Sequence, residues 1–224
     1  MKKIGLIFNG VWSHYAVATA PKYRDLYELI YIHDLNYAAI QHLDALLIPF
    51  QSHQPALEQR KEDLYRFLAD GKKIAVFGDS TPLWLDAQWE DRPVNNYWWV
   101  TDPNRPPISE TDYTHPVYAG LAKPRYACWH IHGVYTRTPD RAAIIQRNDA
   151  GEIITWQTEQ YGGVLFASTL DPIVEHGVQQ IRHLDNYVDS LTAWLCGTKP
   201  EGRFALDPEC YGVDSVAGAE MATA

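Results

Sequence analysis

The sequence predicts a three-layer α/β sandwich whose mostly parallel sheet carries a β-hairpin extension. Three observations carry this. Short apolar runs alternate with helical segments over the first hundred residues, a pattern that requires a parallel sheet covered on both faces. Those runs lack the polar alternation of a sheet with one wet face. Late in the chain, Asn148-Asp149-Ala150-Gly151 joins two strand-like runs as a hairpin turn would.

In chain order, Ile4 to Phe8 reads as the first strand, closed by Asn9-Gly10, and Tyr27 to Ile32 as the second. Ala45 to Pro49 is the third and Lys73 to Phe77 the fourth. Between these two, Pro55 to Gly71 repeats Leu57, Leu64, Phe67 and Leu68 at helical spacing, and Gly71 supplies the stop. From Trp84 to Pro124 the chain turns rich in Trp, Asn, Asp and Pro, which breaks the alternation and reads as an aromatic excursion over the sheet. Tyr126 to Thr136 is read as a strand, Ala142 to Arg147 and Ile153 to Gln157 as the hairpin, and Gly163 to Ser168 as a last parallel strand. Ile173 to Leu195 then reads as one long amphipathic helix, its stripe made by Val178, Ile181, Leu184, Tyr187, Val188, Leu191 and Leu195. Gly197 and Pro200 stop it. The domain is thus expected over 1–197. The tail 198–224 has few large apolar residues, would fray alone, and is assigned to a partner contact.

Composition narrows the partners. With 224 residues, 46% hydrophobic and a net charge of −9, this is an acidic globular chain without the basic field that a phosphate backbone needs. Nucleic acid is not expected. No apolar stretch approaches the roughly 20 residues that cross a bilayer, so no membrane is expected either. The first apolar run is too short for a signal-peptide core. Cys128, Cys196 and Cys210 are odd in number and lack metal-ligand spacing, which fits a reducing compartment. The expected location is the cytoplasm, or a particle assembled there.

Several phrases carry a family resemblance: Ile4-Gly5-Leu6-Ile7-Phe8, Asp44 to Pro49, Phe67 to Gly78, His115-Pro116-Val117-Tyr118-Ala119-Gly120-Leu121, and Gly162 to Ser168. Over about residues 1 to 197 the chain resembles the class I glutamine amidotransferase-like superfamily, nearest its trehalose-utilisation (ThuA-like) branch. That resemblance implies a flavodoxin-like sandwich. In enzymes of the superfamily a nucleophilic cysteine sits on the elbow after the fourth strand; here the elbow reads Gly78-Asp79-Ser80-Thr81. The family's His and Glu follow the last parallel strand, where this chain has Ser168-Thr169-Leu170-Asp171-Pro172. Phe50-Gln51-Ser52-His53 replaces the oxyanion-hole glycines, so glutamine hydrolysis is not expected.

Ligands of open α/β sheets bind at the carboxyl ends of the strands. Asn9, Ser52, His53, Asp79, Ser80, Asp171 and, one turn on, Glu175 and His176 fall there. Asp79 or Asp171 beside His53 or His176 would give a general base with its orienter; equally, Asp79, Ser80 and Asp171-Pro172 suit helix starts. His130 and His132, two apart on the expected strand, share a face and could share a divalent metal if a third ligand folded in, or be hydrogen-bonded strand histidines. No cofactor is otherwise expected, for no glycine-rich phosphate loop follows the first strand. Trp98 and Trp99, with Trp84, Trp89 and Tyr97, could stack a sugar, form an interface or pack a core.

Two functions follow. In the first, the chain is a non-catalytic binding or structural component of a larger assembly, a virion or other multi-subunit particle, joined by self-association or a protein partner through the excursion 84–124 and the tail. In the second, it is a ThuA-like hydrolase or carbohydrate-processing enzyme using Asp79, His53, His130, His132, Asp171 or His176.

Overall fold

The computed structural model describes residues 4–102, 104–121, 124–179 and 184–198. Five strands form a parallel unit: β1 (Ile4–Phe8), β2 (Tyr27–Tyr31), β3 (Ala45–Ile48), β4 (Lys73–Phe77) and β10 (Val164–Ser168). They lie in the order β2-β1-β3-β4-β10. An antiparallel extension continues the sheet beyond β10 through β9 (Ile153–Thr158), β7 (Val134–Arg137) and β5 (Gln88–Glu90). The expected hairpin is β8 (Ala143–Asn148) with β9, and β6 (Ile108–Thr111) pairs β8.

Alternate residues of each buried strand serve opposite cores. Leu6, Leu47, Ala75 and Phe166 face one, Ile7, Leu46, Ile74 and Leu165 the other, as a two-residue repeat requires. The first face is covered by α1 (Trp12–Thr19), α6 (Pro172–Gln179) and α7 (Asp185–Leu195). On the second lie α2 (Tyr37–Ile40), α3 (Gln54–Gln59) and α4 (Lys61–Ala69). Leu57, Leu64, Phe67 and Leu68 are 0–1% exposed, each contributing about 1.5–3 kcal/mol of burial.

Four expectations change. The helix over Pro55 to Gly71 is two helices, because the chain leaves helical geometry at Arg60 (φ −110°, ψ 11°); Gly71, at φ +77°, ends the second by donating to Leu68 O. The long final helix is α6 and α7, with 180–183 outside the described residues. α7 is buried from Asn186 through Leu195 rather than along a stripe. Its polar residues are matched: Asp189 pairs with Lys22 and Tyr23, Thr192 with Tyr27, and Ser190 donates to Val117 O. The excursion supplies sheet strands β5 and β6 and the short α5 (Trp98–Thr101). Finally, Tyr126 to Thr136 is strand only from Val134; before it comes a 3-10 turn, Pro124–Ala127, and a single bridge, Ile131 to Leu170. Beyond Thr198, the tail expected to meet a partner lies outside the described residues.

Candidate active site at the carboxyl edge of the sheet

The connections out of β1, β3, β4 and β10 meet at one edge, and β1 has β2 on one side and β3 on the other. At such a switch of direction adjacent loops diverge and leave a crevice. From the β1 side, Asn9 Nδ2 donates to Gln51 O at 3.0 Å and His14 Nε2 to Phe50 O at 2.9 Å. A carbonyl only accepts, so the His14 proton is on Nε2 and its buried Nδ1 is an acceptor. Burial lowers the His14 pKa to about 4. Gln51 stands at φ 66°, the left-handed region, alone among the described non-glycine residues, a strain that rigid surroundings must hold.

At the β4 exit, Gly78 has φ +81°, and a Cβ there would lie 2.3 Å from the Phe50 ring. Only glycine lets that ring close on the elbow. Gln54 ties the two loops together: its Nε2 donates to Ser52 O and Asp79 O, while its Oε1 accepts from Thr81 N and Trp84 Nε1. Asp79 is half-buried, and burial raises its carboxyl pKa against the opposing pull of its own backbone N–H and of His132. Ser80 is buried, with the Tyr135 hydroxyl beside it.

The β10 exit completes the site. Asp171 N donates to His130 O at 3.1 Å and His132 N to Thr169 O at 3.0 Å, so the 130–132 segment is laced to the 169–171 loop. Asp171 is 1% exposed. Its Oδ1 accepts from Val174 N at 3.2 Å, capping α6, while Oδ2 lies 3.5 Å from His132 Nε2. Capping and pairing with a base are therefore not alternatives; each takes one oxygen. Burial raises the Asp171 pKa, partly offset by His132. The His132 ring stacks on Phe50, centroids 3.9 Å apart. With Nε2 toward Asp171, Nδ1 is the nitrogen available to a ligand. Beside it, His130 Nδ1 is 3.6 Å from Glu175 Oε1. Burial and the neighbouring His132 lower the His130 pKa to about 4, and burial followed by Asp171 raises that of Glu175.

Around these groups, Asn9 Oδ1, His14 Nδ1, Ser80 Oγ, Thr169 Oγ1, His130 Nε2, His132 Nε2 and Glu175 Oε2 are buried with no hydrogen-bond partner among the described residues. Buried polar atoms are seldom left so. The group mixes amide, carboxylate, hydroxyl and imidazole atoms, and its natural complement is a polar ligand that both donates and accepts.

Of the residues singled out from sequence, Asn9, Asp79, Ser80, His130, His132 and Asp171 come together. Trp98 and Trp99 stand behind them: Trp99 stacks on Trp129, which stacks on His130, and Trp98 meets Trp129 edge-on. Trp98 and Trp84 are core residues. Three expected residues face elsewhere. His53 is exposed and its ring neighbours His33. His176 Nε2 pairs with Asp185 Oδ1 at 2.7 Å. Ser52 bonds to Pro49 O within its own turn, where its N–H is also held at 3.3 Å. His130 and His132, the pair named for a shared metal, each face their own carboxylate, Glu175 and Asp171, and no group of three His, Cys, Asp or Glu that could hold a metal ion is found among the described residues. Sequence reasoning missed His14, Phe50 and Gln54, whose roles arise from contacts across 25 to 82 positions of chain.

Cys128 is wholly buried, its thiol pKa pushed up by burial, the reverse of what a thiolate nucleophile needs.

No family model matches the sequence, and no curated protein matches it. Solved structures do match in fold. A GMP synthase-like protein of Thermoplasma acidophilum superposes with a TM-score of 0.55 at 12% identity, covering 87% of this chain and 96% of its own. A cytoplasmic protein of Salmonella typhimurium LT2 gives 0.54 at 10% identity, covering 89% and 100%. Alpha-L-fucosidase isoenzyme 2 of Paenibacillus thiaminolyticus gives 0.52 at 13% identity over 88% of this chain and 33% of that enzyme. Among the described residues no helix is long and apolar enough to cross a membrane. The topology and these superpositions give the chain the class I glutamine amidotransferase-like fold, a flavodoxin-like α/β sandwich with an antiparallel extension.

Proposed function

We propose that this chain is an acid–base hydrolase acting on a small polyhydroxylated substrate, a sugar derivative or sugar ester, at the carboxyl edge of its sheet. The observation that carries the reading is the buried Asp171 with Oδ2 3.5 Å from His132 Nε2, beside buried polar atoms that lack a hydrogen-bond partner. His132 Nδ1 takes a proton from the attacking water. Asp171 holds the ring in orientation and stabilises the imidazolium, the role of the carboxylate in a His–Asp pair. Asp79 and Glu175, both with raised pKa, are suited to return a proton to the departing oxygen. The acceptors Asn9 Oδ1 and His14 Nδ1 take the substrate's hydroxyls. Kinship with the ThuA-like branch in particular rests on the sequence phrases.

The test is a panel of chromogenic sugar esters and glycosides with the wild-type chain and His132→Gln. Turnover of at least one compound, lost on the substitution in a folded protein, supports the reading. Wild-type silence across the panel, or an active His132→Gln, counts against it. The assembly reading keeps one observation: Tyr97, just before α5, and Val100 within it, 70% and 51% exposed, leave an apolar spot there.

A further inference from the structure

Asn96 lies in the aromatic excursion, far in sequence from the site histidines. Its side-chain amide makes both bonds that a neighbouring strand would make to Ile131: Nδ2 donates to Ile131 O at 3.1 Å, and Ile131 N donates to Oδ1 at 2.9 Å. On its other side Ile131 bridges Leu170, with Asp171 N bonded to His130 O and His132 N to Thr169 O. The residue between the two site histidines is thus gripped from both sides, once by backbone and once by a single side chain. Trp99 stacking on Trp129, 5.7 Å between centroids, adds a second hold from the same stretch, one residue before His130.

We propose that Asn96 is the positioning residue of the site, fixing the Ile131 backbone and with it the rings of His130 and His132 against Glu175 and Asp171. It touches no reacting atom in this account. The excursion is then a wall of the site, built to hold a segment that has no ladder of its own. The proposal uses the His132–Asp171 reading for its effect on turnover, and the geometry alone for its effect on the rings.

The groups facing the two rings are Glu175 on α6, Asp171 at its start, Asp79 after β4 and each histidine on the other. Histidine NMR titrations of the wild type, Asn96→Ala and Asn96→Asp therefore read ring placement directly. Asp keeps the acceptor for Ile131 N and sets an oxygen against Ile131 O, and it serves if the Ala variant does not fold. In a folded variant the His130 midpoint is expected to rise from about 4 by roughly a unit or more toward the ordinary 6.5. On any substrate found for the wild type, kcat is expected to fall about 100-fold with little change in KM. An unchanged His130 midpoint in a folded variant overturns the proposal, whatever the activity. Shifted midpoints in a protein that turns over nothing keep the positioning and remove the hydrolase.

Discussion

His14 and His130 share a condition that only the folded chain imposes: both are buried neutral, with pKa values lowered to about 4. Between that value and 6.5 the unfolded chain binds the proton and the folded chain does not, so stability rises with pH across this window and is lost as pH falls through it. Each shift corresponds to about 3 kcal/mol at most. Asp79, Asp171 and Glu175, with raised pKa, act in the opposite sense, favouring the fold as pH falls through their folded values. The His14 share can be isolated with His14→Gln, which keeps a donor for Phe50 O. Denaturant unfolding from pH 7 to 4 is expected to show a flatter pH dependence in the variant, by up to about 1.4 kcal/mol per pH unit; parallel curves would refute a neutral His14. Asp171→Ala removes the cap on Val174 as well as the partner of His132, and is expected to cost about 1 kcal/mol from the cap alone. At this scale the sequence was half legible. Asp171-Pro172 announced a helix start, but nothing local announced that the second oxygen would meet a histidine 39 positions earlier.

The parallel strands and the hairpin could be read because their signals are local: apolar runs, turn residues, and Gly71 at the end of α4. The segment 126–133 could not. Its apolar, aromatic composition suits a strand, yet its main-chain bonds go to Thr169, Asp171 and the Asn96 side chain instead of a ladder. The elbow after β4 is a third case, where Gly78 was seen as part of a family phrase and its reason is the Phe50 ring lying against it. Gly78→Ala combines a side chain at φ +81° with that clash, and is expected to destabilise by about 2–4 kcal/mol. Chemical denaturation measures this; a change below about 0.5 kcal/mol would mean that the elbow relaxes freely.

Across the whole molecule, fold and site separate cleanly. The sandwich follows from alternation alone, with α1, α6 and α7 on one face and α2 to α4 on the other. The site is a product of topology: the ends of β1, β4 and β10 and the segment before β7 bring Asn9, Asp79, Asp171 and His132 together, while His53 and His176, equally near strand ends in sequence, face other partners. The assembly reading also belongs to this scale. Light scattering on the full chain and on a chain ending at Gly197 should give the same oligomeric state if the edge site is the function; a larger species lost on truncation would restore the tail as an assembly element. The central claim is that Asp171 orients His132 for chemistry, and kcat/KM against pH for the wild type and Asp171→Asn on a turned-over sugar ester measures it. The account predicts a loss on the order of 10⁴-fold in a folded variant, as removal of an orienting carboxylate gives elsewhere. Equal kcat/KM in the two proteins would contradict it.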